Sequence, residues 1–167
     1  MKIIGTGSSL PQKVVTNDDL AAIMDTSDEW ISSRTGIRKR HIATTETTTS
    51  LAVEAVKAAL SDAGTDGSEI DLIIAASVTG DKIVPSLACR IQAEIGADSA
   101  VAFDINAACS GFLFAHATAD AYFKTGRFHK AVILGAEVLS KIMDWNDRST
   151  CVLFGDGAGA AVVSDEG

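Results

Sequence analysis

The chain has 167 residues, 47% of them hydrophobic, only two prolines and a formal net charge of −8. That length suffices for one domain with a sizeable core, and the composition excludes a disordered or fibrous chain. The acidic balance argues against a nucleic-acid binder, which presents a basic face, and no apolar run approaches membrane-spanning length.

Lys2 to Gly7 reads as a first strand, ended by Gly-Thr-Gly and Leu10-Pro11. Gly5-Thr6-Gly7 invites a dinucleotide-loop reading, but Leu10 stands where the third glycine of that motif belongs. The opening residues hold no signal-peptide apolar region, so the expectation is a soluble cytoplasmic domain. Thr16-Asn17-Asp18-Asp19 predicts the cap of a short amphipathic helix carrying Leu20, Ile23 and Met24. Thr26-Ser27-Asp28-Glu29 predicts a capping box, with Thr26 as N-cap and Glu29 at N3, opening a helix through Trp30 and Ile31. Arg34 falls four residues after Trp30 on the same helical face. The pair reads either as a solvated surface contact or as a platform that stacks a flat ring beside a phosphate-directed cation. Arg38-Lys39-Arg40-His41 makes a compact basic run, either a solvated strand or a patch for an anionic partner.

Thr47 to Ala63 is the clearest helix, with Leu51, Ala52, Ala55, Val56, Ala59 and Leu60 at helical spacing and Gly64 in the stop position. Leu72 to Ala76 reads as a strand covered on both faces. Pro85 is expected to open a helix holding Leu87, Ile91 and Ile95, closed by Gly96. Ala100 to Phe103 reads as a buried strand, followed by a turn and an Ala-rich helix from Phe112 to Phe123. Ala131 to Leu134 is a further buried strand, and Asp144 to Thr150 a polar loop. The chain closes on Gly155-Asp156-Gly157-Ala158-Gly159-Ala160 and a last strand, Ala161 to Val163. The spacing of Gly155, Gly157 and Gly159 is wrong for a dinucleotide loop and points to backbone that turns sharply or passes very close to another segment. Apolar strands alternating with helices imply an α/β layered fold with a mostly parallel sheet.

Chemistry concentrates at Asn106-Ala107-Ala108-Cys109-Ser110-Gly111. Cys109 falls at a strand-to-helix turn among residues too small to cover it. Unpaired N–H groups and the positive end of the helix dipole favour a thiolate there, and the thiolate is the nucleophile. The alternative is a buried structural cysteine. Cys89, Cys109 and Cys151 are odd in number and widely spaced, and suit neither a disulfide framework nor a metal site. No histidine is a convincing base for Cys109. His116 lies about 10 Å along the helix, at ~1.5 Å per residue, and His41 and His129 read as solvated.

Taken together, the chain resembles the first half of a β-ketoacyl-acyl-carrier-protein synthase III, a condensing-enzyme family of the thiolase superfamily. The carrying stretches are Ile3-Ile4-Gly5-Thr6-Gly7 with Leu10-Pro11, and Thr26-Ser27-Asp28-Glu29-Trp30-Ile31 with Arg34-Thr35-Gly36-Ile37-Arg38. They continue with Asn106-Ala107-Ala108-Cys109-Ser110-Gly111-Phe112 and Phe154-Gly155-Asp156-Gly157-Ala158-Gly159-Ala160. The resemblance implies a thiolase-like fold, with residues 1–167 as one half of a duplicated α-β-α-β-α arrangement. It implies an acyltransferase that starts fatty-acid synthesis by decarboxylative Claisen condensation of an acyl-CoA with malonyl-acyl carrier protein. It makes Cys109 the acyl acceptor, places the CoA adenine between Trp30 and Arg148, and sets Thr26 and Arg34 near the nucleotide. Gly155, Gly157 and Gly159 become active-site backbone, no cofactor or metal is expected, and the family is a homodimer. Val84, small and next to Pro85, is expected near the acyl pocket across that dimer. The family's catalytic histidine and asparagine belong to a second half that these 167 residues do not contain, so this chain alone is expected not to complete the condensation. Alternatives are a priming ketosynthase of secondary metabolism, a non-catalytic half that pairs with another subunit, and, last, a dinucleotide-binding domain.

Overall fold

A computed structural model describes residues 1–166. The chain runs β1 (Lys2–Ser9), β2 (Val14–Thr16), α1 (Asn17–Ala21), α2 (Asp28–Thr35), β3 (Lys39–His41), α3 (Thr48–Ala63), β4 (Leu72–Ala76) and α4 (Leu87–Ile95). It continues β5 (Val101–Ile105), α5 (Gly111–Phe123), β6 (Lys130–Val138), α6 (Arg148–Cys151) and β7 (Asp156–Ser164). Helix starts follow local side-chain chemistry. The hydroxyls of Thr16, Ser27, Thr47 and Ser86 and the carboxylate of Asp147 each accept an orphan N–H from the first turn that follows. Gly36, Gly64 and Gly96 end α2, α3 and α4 in the left-handed region, where a Cβ is disfavoured. The cap of α2 is therefore Ser27 and not Thr26, so Glu29 falls one place short of N3. The helix after Pro85 likewise begins later than expected, at Leu87 behind Ser86.

Five strands form one sheet in the order β1-β7-β6-β4-β5, and β2 and β3 pair separately. The sheet is mixed, not mostly parallel. β4 runs parallel to β5 and β6, whereas β7 is antiparallel to both β6 and β1. A parallel return needs a crossover of a dozen or more residues, usually a helix packed on the sheet. Between β6 and β7 the chain supplies two single turns, Leu139–Lys141 and α6, and no helix long enough to pack across the sheet, and it comes back antiparallel.

Strand alternation sorts side chains onto two faces. Ile73, Ala75, Val132, Leu134, Ala160 and Val162 meet α3 and α4 on one face. Leu72, Ile74, Ala131, Ile133, Ala161 and Val163 meet α5 on the other. The two glycines of Gly5-Thr6-Gly7 belong to the first contact. A Cβ on Gly7 would stand 2.2 Å from the Ala55 carbonyl oxygen, and one on Gly5 2.5 Å from that of Ala59. These glycines let β1 lie directly against the backbone of α3, which accounts for them without any cofactor.

β5 departs from the expected buried strand. It closes one edge of the sheet, and Val101 is 44% exposed. The basic run 38–41 is divided, with Arg38 and Lys39 exposed and Arg40 buried. Strand alternation in β3 turns Arg40 inward to 5% exposure, where its guanidinium donates to Asn17 Oδ1 (2.8 Å) and to the carbonyls of Val15 and Val152 (both 3.2 Å). Asn17 in turn donates to Asp28 (2.8 Å). Arg40 thus ties β3 to α1, α2 and the tail of α6.

Candidate active site

The sheet face under α5 changes character along each strand. Deep under the helix it carries Leu72, Ile74, Ile133 and Val163, and toward the other end it carries Ala76, Gly135 and Gly159. Register places these three small residues side by side: Ala76 is the Cα partner of Gly135, and Gly135 the partner of Gly159. Where bulk runs out, a cleft of about 380 Å³ opens, lined by Leu10, Ala76, Cys109, Phe112, Glu137 and Gly159 among others.

Cys109 is held at the mouth of this cleft. It sits in a 3-10 turn, Ala108–Ser110, that leads straight into α5, and it is exposed. α5 is the only α-helix among the described residues whose N-terminus has no side-chain cap. The Gly111 N–H is taken up by the Ala108 carbonyl, and no side chain caps the first turn behind it. Two features fix the turn. Gly111 brings the start of α5 onto β4, where a Cβ would stand 2.7 Å from Ala76 Cβ. Ala108 adopts φ +46°, a left-handed conformation that costs a non-glycine residue on the order of 1–3 kcal/mol and persists only where surroundings enforce it. A second depression of about 280 Å³ meets the same cysteine from another side, lined by Val78, Leu139, Phe154, Glu137, Ala108 and Cys109. Cys109 therefore stands between a cleft with a bare glycine floor and an apolar recess. Among the described residues no histidine lines either one. His41 Nδ1 contacts the Pro11 carbonyl (2.6 Å), and His129 Nδ1 contacts Asp165 (2.8 Å).

The glycines of the closing stretch divide. Gly157 and Gly159 line the cleft. Gly155 lies outside it, where its Cβ would press on the His41 carbonyl (3.1 Å) and Arg40 (3.2 Å). Gly157 and Gly159 belong to β7, one continuous strand over 156–164, and Gly155 directly precedes it, so none marks a turn. Gly155 and Gly157 mark close approach, whereas nothing lies within 4 Å of a Cβ built at Gly159.

A second cluster gathers residues far apart in sequence. The guanidinium carbons of Arg34 and Arg148 each lie 4.5 Å from the centre of the Trp30 ring. The helical spacing of Trp30 and Arg34 foretold the first contact; the second is brought by α6, where Arg148 also donates to the Asp25 carbonyl at 2.6 Å. Thr26, just before α2, has a buried hydroxyl with no hydrogen-bond partner. Arg148 to Phe154 is six residues, at most about 20 Å of extended chain, so the two clusters are neighbours along one short segment. The carboxylate of Glu137 on β6, which sequence reasoning missed, lines both depressions at Cys109.

Comparison with known proteins gives a consistent picture. The family described as 3-oxoacyl-[acyl-carrier-protein (ACP)] synthase III matches residues 103–167. A β-ketoacyl-[acyl-carrier-protein] synthase III of Clostridium acetobutylicum is 55% identical over 163 residues, 98% of this chain and 50% of that protein. The crystal structure of the 3-oxoacyl-[acyl-carrier-protein] synthase III of Aquifex aeolicus superposes with a TM-score of 0.97 at 55% identity, covering 99% of this chain and 54% of the other. The priming β-ketosynthase of the R1128 polyketide pathway superposes with a TM-score of 0.94 at 40% identity, covering 98% and 49%. The chain spans about half the length of the curated relatives it matches.

Proposed function

We propose, for a chain that belongs to the β-ketoacyl-[acyl-carrier-protein] synthase III family, that Cys109 takes the acyl group of an acyl-CoA and that the whole protein passes it to a malonyl-derived carbanion on an acyl carrier protein. The observation that carries the reading is the placing of Cys109, exposed at an uncapped helix start between a glycine-floored cleft and an apolar recess. A thioester suits this arrangement. The sulfur attacks the carbonyl, an S–C bond to Cys109 forms as the S–C bond to CoA breaks, and the cysteine's proton leaves with the CoA thiol. The apolar recess is the right surroundings for the acyl chain, and the cleft for the arm that delivers it.

The nucleotide end of CoA goes to Trp30, Arg34, Arg148 and Thr26. A purine face stacks on an indole, guanidinium groups pair with phosphates, and the unpartnered Thr26 hydroxyl awaits a polar group. Arg148 already lies over the ring, so adenine enters by lifting it into a sandwich. Trp30→Ala is expected to weaken CoA binding by about five- to 150-fold, on stacking of about 1–3 kcal/mol, and Arg148→Ala to weaken it less. Calorimetric titration with CoA measures this, and unchanged affinity in Trp30→Ala would place the nucleotide elsewhere.

Among the described residues no histidine lines the depressions at Cys109, and we assign the partners that decarboxylate the malonyl group to a second half, as the family resemblance implies. α5 supports that assignment. It is apolar nearly all round, yet Leu113 and Phe114 remain 68% and 54% exposed, and a helix of that kind is normally covered on every side. The open edge at β5 suits a second copy of the chain, giving a homodimer. No helix among the described residues is long and apolar enough to cross a membrane, and we place the protein in the cytoplasm with no cofactor beyond its acyl-CoA substrate. The likeness to the priming ketosynthase supports a second reading, the same acyl transfer to Cys109 followed by a different acceptor. Assay of the whole protein with fatty-acid and polyketide carrier proteins decides between them.

A further inference from the structure

Glu137 is the one charged side chain among the described residues that line the depressions at Cys109. It follows Gly135 on the α5 face of β6, opposite Gly157 of β7. A carboxylate in such surroundings is costly unless its oxygens are hydrogen-bonded, and those of Glu137 are taken up by one turn. It accepts from the Val78 N–H (2.8 Å), from the Ser77 hydroxyl (3.5 Å) and from the Thr79 hydroxyl. The turn has other anchors further along. Thr48 donates to the Thr79 carbonyl (2.7 Å), Thr79 Oγ1 accepts from the Val138 N–H (2.9 Å), and Asp81 receives the Thr49 N–H (2.7 Å) and Lys141 Nζ (2.7 Å). The Val78 amide has only Glu137. Val78, 40% exposed, is also the residue of this turn that forms a wall of the apolar recess beside Cys109.

We propose that Glu137 is a positioning residue that sets which acyl chains Cys109 accepts, by pinning the Ser77–Thr79 turn so that Val78 closes the recess. The inference rests on the reading of Cys109 as acyl acceptor. Without the carboxylate, the Val78 N–H and the Thr79 hydroxyl lose their acceptor, the turn relaxes outward, and the recess lengthens. A glutamine preserves the wall. Its carbonyl oxygen accepts from Val78, and its amide donates to the Thr79 hydroxyl, which then accepts.

The test measures acyl transfer to Cys109 in the full-length protein across a series from acetyl-CoA to octanoyl-CoA. Glu137→Ala is expected to raise the octanoyl-to-acetyl rate ratio about tenfold, the scale on which apolar pockets sort chain lengths. Glu137→Gln should keep the unmodified profile, and Val78→Ala should reproduce the shift with the carboxylate intact. If Glu137→Ala does not fold, Val78→Ala set against Glu137→Gln makes the same comparison. Equal loss at every chain length in Glu137→Ala, or an unshifted profile in Val78→Ala, overturns the proposal. Failure of the unmodified protein to form any acyl adduct at Cys109 would remove the underlying reading as well, and that result is seen before any variant is made.

Discussion

Gly7→Val is expected to remove at least about 4 kcal/mol of stability and to lower the urea midpoint sharply. A Cβ at position 7 would lie 2.2 Å from the Ala55 carbonyl oxygen and 2.4 Å from the Ala59 nitrogen, backbone atoms of α3 that cannot rotate away. Either α3 lifts from the sheet, uncovering the contacts of Ala55, Val56 and Ala59, or β1 peels off β7. Both responses cost at least about 4 kcal/mol, the upper range for single substitutions, against a domain stability of about 5–15 kcal/mol. Urea unfolding followed by circular dichroism measures it. A midpoint close to that of the unmodified chain would mean that β1 does not lie against α3.

Gly159→Val has the opposite profile. It leaves stability within about 1 kcal/mol, as expected where a strand residue gains a side chain without a clash, and cuts acyl transfer to Cys109 by about a hundredfold or more. No heavy atom lies within 4 Å of a Cβ built at Gly159, and its backbone is not in the left-handed region, so the fold places no demand for glycine there. The same holds for its strand partner Gly135. Two glycines facing each other in the interior of a sheet are a weakness unless something approaches that surface. What they leave free is the cleft floor beside Cys109. A valine fills it and pushes the thioester off line, and misplacement on the ångström scale is worth about 10²-fold in rate. Melting temperature and acyl-transfer rate measured together test this. A stable variant with unimpaired transfer would show that the acyl donor does not cross the glycine floor.

The contrast between Gly7 and Gly159 also shows what was legible in the sequence. Local signals read well. The apolar spacing of 47–63, the glycine stops and the small residues around Cys109 each carry their own short-range cause, and the structure follows them. The Trp30–Arg34 contact was readable because both residues sit on one helix. Signals shared between neighbours misled. Thr26 and Ser27 can both cap, and only the path of the backbone chooses Ser27. A run of Arg and Lys looks solvated until strand alternation sends Arg40 inward to Asn17. Spacing rejected both glycine stretches as dinucleotide loops, but that one packs under a helix and the other floors a cleft depends on strand order and register. The exposed edge at β5 and the antiparallel return of β7 are likewise facts of topology. Glu137 gave no sequence signal at all, since its partners Ser77, Val78 and Thr79 lie 58 to 60 residues away.

The most direct test of the account is peptide mass mapping of the protein after incubation with acetyl-CoA. The expected result is one acetyl group per chain, on the peptide carrying Cys109, absent from Cys109→Ala and retained when half-buried Cys89 or buried Cys151 is replaced. An adduct that survives Cys109→Ala, or that maps to Cys89 or Cys151, would contradict the assignment of Cys109 as the acyl acceptor.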